Sequence, residues 1–260
     1  RLRLVTVLFA FFVGAPTGLP AEALRFSVST VAGLPQTNEY VDGPKAVARF
    51  KVCEMNGIAV DDAGNTYVAC PYSVRKITPD GTVSTLAGHA SAFGQVDGVG
   101  STARFAMIAK IGVDANGYVY VTDRDAHTIR KISPSGEVTT LAGEYRQAGS
   151  ADGTAAAARF NFPDGLAVTR DGVVYVTEYL SHAIRRIGTD GTVTTFLGDR
   201  DTRGAVDGLR TDARFTFPGQ LTTDPSGNLY ISVSGAIRKA TPEGVVTTFA
   251  RVAGDADAAG

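Results

Sequence analysis

The sequence of 260 residues contains no tryptophan, two cysteines and three histidines. Neither sign of charge dominates, because 25 Lys and Arg residues stand against 26 Asp and Glu residues, for a net charge of −1. A nucleic-acid-binding protein usually carries a basic excess that neutralises phosphates, so we expect no nucleic-acid partner. With 44% hydrophobic and 20% charged residues, the composition is typical of a globular protein rather than a disordered one.

The sequence also lacks a hydrophobic run long enough to cross a bilayer. The run Leu4–Val13 has about 10 residues, whereas a spanning helix needs roughly 20. Arg1 and Arg3 precede this run, and the small-x-small sequence Ala21-Glu22-Ala23 follows it. These features are typical of a secretory signal peptide, which we predict at residues 1–23. We therefore expect a secreted or periplasmic protein with no membrane span after cleavage.

What the sequence has instead is a strict repeat of 55 residues. The tripeptide Ala-Arg-Phe occurs four times at this spacing, and an Asp-Gly pair stands seven residues before each Arg. A period of this length indicates structural units stacked on copies of themselves, as in solenoids and propellers. Residues present in every copy are therefore expected first to be structural. The repeated residues are the arginines Arg49, Arg104, Arg159 and Arg214 and the aspartates Asp42, Asp97, Asp152 and Asp207.

Each copy contains four short runs rich in Val, Ile, Tyr and Thr, separated by turns that contain glycine, which predicts four strands joined by hairpins. We call these strands a, b, c and d. Strand a is nearly all apolar, as expected for a strand buried on both faces, whereas c and d alternate with Arg, Lys and Thr, as expected for outer strands. In the first copy the strands are predicted at Ile58–Asp61, Thr66–Ala69, Ser73–Thr78 and Thr82–Ala87.

Four-stranded antiparallel units repeated in this way predict an all-β fold, a β-propeller. The run Gly57–Ala69, with the pattern Gly-Ile-Ala-Val-Asp-x-x-Gly-Asn-x-Tyr-Val-Ala, and the run His127–Ile132, with the pattern His-x-Ile-Arg-Lys-Ile, resemble the NHL repeat. The long connector from Ala-Gly through Asp-Gly to Ala-Arg-Phe resembles the form common in exported NHL proteins. The resemblance implies a propeller that has six blades when complete.

The number of predicted strands does not close a ring. The four repeats give blades at about residues 50–88, 105–143, 160–198 and 215–250. The segment 24–33 also matches strand d, so there are five d strands for four sets of a, b and c. We therefore predict an incomplete ring, an open arc of four blades with residues 24–33 as an extra outer strand.

In such a blade the b–c turns and the long d–a connectors lie at the same end, which we call the long-loop face. Functional residues concentrate on loops that a rigid scaffold holds, and Tyr and Arg are enriched at binding hot spots. Unrepeated side chains on these loops are therefore the predicted ligand-binding residues, with solvated loop decoration as the alternative. They are Tyr72, Arg124, Asp125, Tyr145, Arg146, Tyr179 and Leu180.

The repeated polar residues have a structural interpretation. Each Arg of Ala-Arg-Phe is predicted to bind an Asp or a backbone carbonyl and so to fix the connector, although binding of an anionic ligand is the alternative. His127 and His182 are 55 residues apart and stand at the histidine position of the NHL repeat, which also favours a scaffold role.

A catalytic centre is not evident in the sequence. Amidating lyases with NHL repeats bind a metal through histidines from several blades, but here no three ligands converge before strand a, and Lys110 lies there. We predict no catalytic residue, metal or cofactor, and a non-catalytic binding scaffold for an unidentified protein or small ligand. The alternatives are a propeller hydrolase or lyase of the gluconolactonase or amidating-lyase type with a central metal, and a sensor or adhesion module of a larger exported protein.

The two cysteines both belong to the first copy. Cys53 precedes strand a and Cys70 ends strand b, so the a–b hairpin returns both to the long-loop face. In an exported protein this arrangement predicts a disulfide, with two buried free thiols as the alternative. The cross-link would stabilise the fold by about 3 kcal/mol in the loop-entropy model.

Overall fold

The computed structural model describes residues 29–33, 39–50 and 56–251. Contacts divide the chain after Thr30 into two units, Arg1–Thr30 and Val31–Gly260, and every described strand belongs to the second. The predicted signal peptide, residues 1–23, lies outside the described part of the chain.

Four antiparallel sheets follow one another along the described residues, and within each of them the long strands pair in chain order. Four single-turn 3-10 helices lie between strands, at Gly100–Thr102, Arg124–Ala126, Ala155–Ala157 and Arg210–Asp212. The first sheet contains β1 (Gly57–Val60), β2 (Thr66–Cys70), β3 (Ser73–Ile77) and β4 (Val83–Gly88); the second contains β5 (Gly98–Val99), β6 (Ile108–Val113), β7 (Val119–Asp123), β8 (Thr128–Ile132) and β9 (Glu137–Gly143); the third contains β10 (Gly153–Thr154), β11 (Pro163–Val168), β12 (Val174–Glu178), β13 (Ala183–Ile187) and β14 (Thr192–Leu197); the fourth contains β15 (Gly208–Leu209), β16 (Leu221–Thr223), β17 (Leu229–Val233), β18 (Ala236–Ala240) and β19 (Val245–Arg251).

This architecture confirms the predicted all-β propeller with four-stranded antiparallel blades. The inner strands β1, β6, β11 and β16 contact one another in that order, as in successive propeller blades. The side chain of Ile58 in β1 is 56% exposed, whereas its repeat equivalent Ile111 is 7% exposed beneath the first blade. The uncovered side of β1 is consistent with the predicted open ring.

Two details differ from the predicted strands. The second, third and fourth sheets have a fifth strand of two residues, because the connector strands β5, β10 and β15 pair with the outer strand of their own blade. The sequence predicts loops at these residues, since two residues carry no alternating pattern. Of the predicted extra outer strand at residues 24–33, the described part, residues 29–33, forms no strand ladder.

The hairpin turns depend on glycine where the backbone must adopt a positive φ. Gly64, between β1 and β2, has φ +81° and donates its N–H to the Asp61 carbonyl oxygen at 3.0 Å. Gly81, between β3 and β4, has φ +87° and donates to the Thr78 carbonyl oxygen at 2.8 Å. A side chain disfavours this left-handed backbone region, so these glycines fix where each hairpin turns.

The core lies between blades rather than within them. Ala103 and Phe105 of the second Ala-Arg-Phe are fully buried, and they pack with Val74 of the first blade and Val121 of the second. Equivalent clusters join the second blade to the third and the third to the fourth. A fully buried Phe contributes about 1.5–3 kcal/mol, so Phe105, Phe160 and Phe215 each stabilise one junction between described blades.

A buried arginine in strand c fixes each connector. In the second blade, Arg130 of β8 donates to the carbonyl oxygens of Arg104 at 3.0 Å and Val96 at 3.1 Å, and it binds the Asp97 carboxylate at 2.5 Å. Asp97 also accepts the backbone N–H of Thr140 in β9 at 3.0 Å. The same contacts recur for Arg75 with Asp42, Arg185 with Asp152 and Arg238 with Asp207.

This network corrects the expectation that strand-c arginines lie on an exposed outer strand, because Arg130 is fully buried. The structure also distinguishes the two kinds of partner, an Asp or a backbone carbonyl, that the sequence left open for the Ala-Arg-Phe arginines. Arg104 donates to the carbonyl oxygens of Ser101 at 2.5 Å and Ala103 at 2.7 Å, whereas Asp97 pairs with Arg130. The Ala-Arg-Phe backbone is extended, so burial of Ala103 and Phe105 places the intervening arginine on the opposite side.

The other Ala-Arg-Phe arginines make similar carbonyl contacts and add an acidic partner. Arg49 lies 3.9 Å from Glu39, Arg214 lies 3.2 Å from Asp199, and Arg159 pairs with Glu144. All of these acidic groups belong to the same connector as their arginine, so each pair closes a local loop.

The two middle blades add a second, fully buried carboxylate to the network. Asp123 accepts the backbone N–H of Met107 at 2.7 Å and lies 3.4 Å from Arg130; Glu178 accepts the N–H of Asn161 at 2.8 Å and lies 3.1 Å from Arg185. Burial raises the pKa of both carboxyl groups, although these hydrogen bonds and the adjacent guanidinium oppose the rise. Cys70 and Val233 stand at the equivalent positions of the outer two blades.

The difference between blades predicts unequal effects of losing the buried arginine. Arg185→Met leaves Glu178 buried without its cation and should lower the free energy of unfolding by about 3–5 kcal/mol. Arg238→Met should lower it by less, because Val233 replaces the carboxylate there. Urea denaturation of both variants measures the difference. Adding Glu178→Gln to Arg185→Met should recover part of the loss, and equal losses for the two single variants would contradict the argument.

Candidate binding face

The long-loop face is formed by the turns between strands b and c and by the connectors between blades. The turns lie between β2 and β3, β7 and β8, and β12 and β13. Their neighbours are the connectors that end at β6, β11 and β16. The rigid sheets hold these loops at one end of the blades, which is the arrangement that usually carries binding residues.

An aromatic stack spans the junction between the third and fourth blades. In the turn after β12, the ring centroid of Tyr179 lies 4.9 Å from that of Phe217 in the next connector, and the ring planes are 24° apart. Tyr179 is 44% exposed and the neighbouring Leu180 is 49% exposed. Offset-stacked aromatic rings favour each other by about 0.5–1.5 kcal/mol, so the stack is a stable apolar platform open to solvent.

A related contact joins the second blade to the third. The ring of His127 meets Phe162 edge to face, with centroids 4.7 Å apart, and its Nδ1 accepts the Phe162 N–H at 3.2 Å. His182 makes the same contacts with Phe217, at 5.3 Å between centroids and 3.5 Å from Nδ1 to the N–H. Both predicted scaffold histidines therefore connect one blade to the next.

The backbone beneath these rings is strained. Phe162 has φ +51° and Phe217 has φ +47°. A bulky residue rarely adopts the left-handed region, and such residues cluster at functional sites, with a cost of order 1–3 kcal/mol each. The histidine acceptors hold the N–H groups of both residues, which helps to maintain this conformation.

The second blade adds polar and aromatic groups to the long-loop face. Arg124 and Asp125 lie in the 3-10 helix after β7 and form a half-exposed ion pair at 3.1 Å. In the connector after β9, the Arg146 guanidinium lies 5.1 Å from the Tyr145 ring centroid. Arg146 donates its backbone N–H to the Ala126 carbonyl oxygen at 2.9 Å, which fixes the connector against the turn that carries Arg124.

In the first blade, Tyr72 lies in the turn between β2 and β3, with its ring centroid 6.2 Å from that of Phe93. Phe93 belongs to the following connector and is 69% exposed. As with Tyr179 and Phe217, an aromatic of a b–c turn lies beside one of the next connector, but here the ring planes are tilted by 45° rather than stacked.

The structure joins the seven predicted residues locally rather than in one cluster. The described contacts are Arg124 with Asp125 and Arg146 with Tyr145, while Tyr72 and Tyr179 each pair with an aromatic that the sequence analysis did not select. Those aromatics are Phe93 and Phe217, and Phe162, which pairs with His127, was not predicted either. An aromatic present in only some copies of the connector was the available signal, but their contacts with the b–c turns depend on tertiary packing.

The inner strands line a separate cavity of about 380 Å³. Asn56, Lys110 and Gln220 are among its lining residues. Lys110 Nζ donates to the Asn56 carbonyl oxygen at 2.9 Å, and the Asn56 amide donates to the Ile108 carbonyl oxygen at 2.7 Å. Among the residues that the structure describes, no three His, Cys, Asp or Glu side chains are grouped closely enough to hold a metal ion.

The predicted disulfide remains a prediction. Cys70 is buried at the end of β2. Cys53 lies outside the described residues, so the structure gives no geometry for the pair.

Comparison with known proteins places the repeats among NHL sequences. No family model matches the chain. It is 32% identical over 139 residues to NHL repeat-containing protein 2 of Bos taurus, a match that covers 50% of this chain and 19% of that protein. It is 34% identical over 108 residues to Protein SUPPRESSOR OF QUENCHING 1, chloroplastic, of Arabidopsis thaliana, which covers 40% of this chain and 10% of that protein. The matches thus span at most a fifth of these longer relatives.

Solved structures share the propeller fold at low sequence identity. An auxiliary nutrient binding protein from Bacteroides ovatus superimposes with a TM-score of 0.57 at 19% identity. The superposition covers 78% of this chain and 49% of that protein's chain. A catalytically inactive virginiamycin B lyase from Staphylococcus aureus with quinupristin gives 0.53 at 19% identity, with 78% and 57% coverage. No helix in the described ranges has the length and hydropathy to cross a membrane.

The two inter-blade histidines predict a loss of stability in acid. Burial lowers the pKa of both His127 and His182 below the usual 6.5, so the unfolded chain takes up protons that the folded chain does not. The contribution of the two histidines to the free energy of unfolding should therefore fall as pH drops below about 6.5 and level off below the folded pKa values. Urea denaturation between pH 7.5 and pH 5 measures this slope.

The matched variant is His127→Asn with His182→Asn, because asparagine tolerates the left-handed backbone of both positions. It should flatten the pH slope. His89→Asn replaces an exposed histidine whose described partner is Ser91 and should keep the slope. An unchanged slope in the double variant would show that these histidines are not its source.

Proposed function

The chain belongs to the NHL-repeat β-propeller family, and on this premise we propose that it is a non-catalytic, extracytoplasmic binding scaffold. The long-loop face recognises a ligand or a protein partner, and the repeated Asp, Arg and His residues hold that face in place. The function requires no covalent step, since recognition rests on exposed aromatic surface and adjacent polar groups.

The observation that carries this proposal is the distribution of exposed aromatic side chains. Five aromatics in the described ranges are more than a third exposed, and four of them, Phe93, Tyr145, Phe162 and Tyr179, lie on the long-loop face. The fifth, Phe249, lies in β19. Aromatic side chains bury a large area with little loss of conformational freedom, which suits them to recognition.

The polar groups beside the aromatics support recognition of a partner with hydrogen-bonding groups. Arg124 and Asp125 are both about half exposed, so an approaching ligand can bind either charge without breaking a buried network. The connectors that carry the aromatics are fixed by the buried arginines. A preformed surface loses less conformational entropy on binding than a flexible one.

The extracytoplasmic location rests on the signal-like sequence at residues 1–23 and accompanies the proposal. Secretion of a tagged chain tests it, with Arg1 and Arg3 changed to Glu as the variant that should abolish export. A chain that is exported equally well without these charges would contradict the signal-peptide assignment.

The binding role predicts that aromatic variants lose affinity while they remain folded. Ligands are first sought by thermal shift against a panel of neutral oligosaccharides and short peptides. Tyr179→Ser and Phe162→Asn should each weaken binding of a hit by about 30-fold or more, as expected for a hot-spot aromatic. Isothermal titration calorimetry measures the affinity, and thermal denaturation verifies folding.

Phe249→Ser is the control, because it removes an exposed aromatic that lies away from the long-loop face. It should bind like the parent. An affinity that is unchanged in both Tyr179→Ser and Phe162→Asn would contradict the proposed binding scaffold. Turnover that requires a stoichiometric metal would contradict it as well and would favour the hydrolase or lyase alternative.

A further inference from the structure

Two neighbouring junctions of the long-loop face carry an arginine and a tyrosine in exchanged positions. The residue that follows strand b is Arg124 in the second blade and Tyr179 in the third. The second residue after the glycine that ends the outer strand is Tyr145 in one connector and Arg200 in the next. Each junction therefore keeps one guanidinium group and one phenol ring, although neither position has the same residue in both blades.

The backbone places the two connector positions alike. Gln147 donates its N–H to the Glu144 carbonyl oxygen at 3.0 Å, and Thr202 donates to the Asp199 carbonyl oxygen at 3.4 Å. Both hydrogen bonds close a four-residue turn directly after the outer strand. The second residue of this turn is the tyrosine in one connector and the arginine in the other, so the exchange takes place within one local geometry.

Three arginines of these connectors have charges that the chain does not neutralise. Arg146, Arg200 and Arg203 are exposed, and within the described ranges none of them forms an ion pair. The pKa of His182 is lowered mainly by burial and in addition by the charge of Arg203, so this cation lies near the histidine that contacts Phe217. Cationic and aromatic groups therefore share the surface.

Most of the nearby acidic groups are already paired. Glu144 binds Arg159, and Asp199 lies 3.2 Å from Arg214. In the described segments 144–148 and 199–203, the carboxylate that remains without an arginine is Asp201. The two connectors thus present three free cations against one free anion.

The opposite end of the blades has the reverse charge. Its turns join strand a to strand b and strand c to strand d, and Arg170 is the one basic residue in these turns of the four described blades. Arg170 lies 2.7 Å from Asp62 of another turn. The exposed acidic residues of the same turns are Asp62, Asp80, Asp171, Asp190 and Glu243. This distribution of charge directs an anionic ligand to the long-loop face.

From this arrangement we propose that the junctions after the second and third blades bind an acidic oligosaccharide. Its carboxylates contact the free arginines, and its sugar rings lie against the exposed aromatic side chains. The inference rests on the proposed binding role of the long-loop face and names the ligand class. Each uronic acid unit combines a ring that has apolar C–H faces with one carboxylate, which matches one aromatic and one arginine per junction.

An acidic peptide matches the surface less well. Its carboxylates are carried on flexible side chains that lose more conformational entropy when they are fixed. It also has no apolar ring face beside each charge. A chain of identical acidic sugar units, by contrast, fits a surface that repeats its own pair of side chains from one blade to the next.

Binding of defined acidic tetrasaccharides tests the proposal. The probes are the tetramers of galacturonic acid and mannuronic acid and the hyaluronan tetrasaccharide, with the methyl ester of the galacturonic acid tetramer as the matched neutral ligand. At least one acidic tetramer should bind, and the methyl ester should bind at least about tenfold more weakly than its parent, because it lacks the charge-assisted hydrogen bonds. Isothermal titration calorimetry at about 50 mM and about 500 mM salt should show weaker binding at the higher concentration.

Arginine variants locate the site. Arg146→Gln and Arg200→Gln should each weaken binding of the acidic tetramer by about tenfold, because each removes one charged contact. Arg170→Gln is the matched control, since it removes an exposed arginine from the opposite end of the blades, and it should bind like the parent. Thermal denaturation verifies that all three variants are folded.

Three results would overturn the proposal. They are an absence of binding by all three acidic tetramers, an equal affinity for the methyl ester, and tighter binding of a hexaglutamate peptide. The proposed function has a separate readout. A neutral ligand whose affinity falls in Tyr179→Ser but is unchanged in both arginine variants would support the binding scaffold and overturn the acidic ligand class.

Discussion

In every described blade, a buried guanidinium group binds both sides of a connector turn. The arginine of strand c binds carbonyl oxygens on both sides of the connector turn and a carboxylate that is also bonded to strand d. An isolated buried charge is strongly unfavourable, so these partners have to be in place for the blade to fold. Once they are, the Ala and Phe of Ala-Arg-Phe enter the junction and the next inner strand begins at a fixed point.

The same constraint explains how the scaffold can present an irregular surface. The conformation of the connector is set near its ends, whereas the residues between the outer strand and the Asp-Gly pair vary from copy to copy. Tyr145 and Phe93 lie in this variable part. Loop residues can therefore change without affecting the buried arginine, and a binding face can evolve on a constant frame.

The regular part of the fold was readable from the sequence, because glycine turns and β-branched runs recur at one spacing. The predicted Thr66–Ala69 and the observed Thr66–Cys70 differ by one residue. Burial of Arg130 was not readable: an alternation of Arg and Lys is the ordinary pattern of an exposed strand, and only the fold shows that the connector covers it. The strained Phe162 was missed for a similar reason, since its conformation depends on a histidine of the neighbouring blade.

The position after strand b distinguishes the blades in a way that reaches beyond local packing. Asp123 and Glu178 tie the inner-strand entry of the middle blades to their arginines, whereas Cys70 and Val233 stand at that position in the outer two. A repeat array opens where its neighbour interactions are weakest. Heat or force should therefore open the first and fourth blades before the middle two, and the junction that carries Phe162 would be the last part to lose its shape.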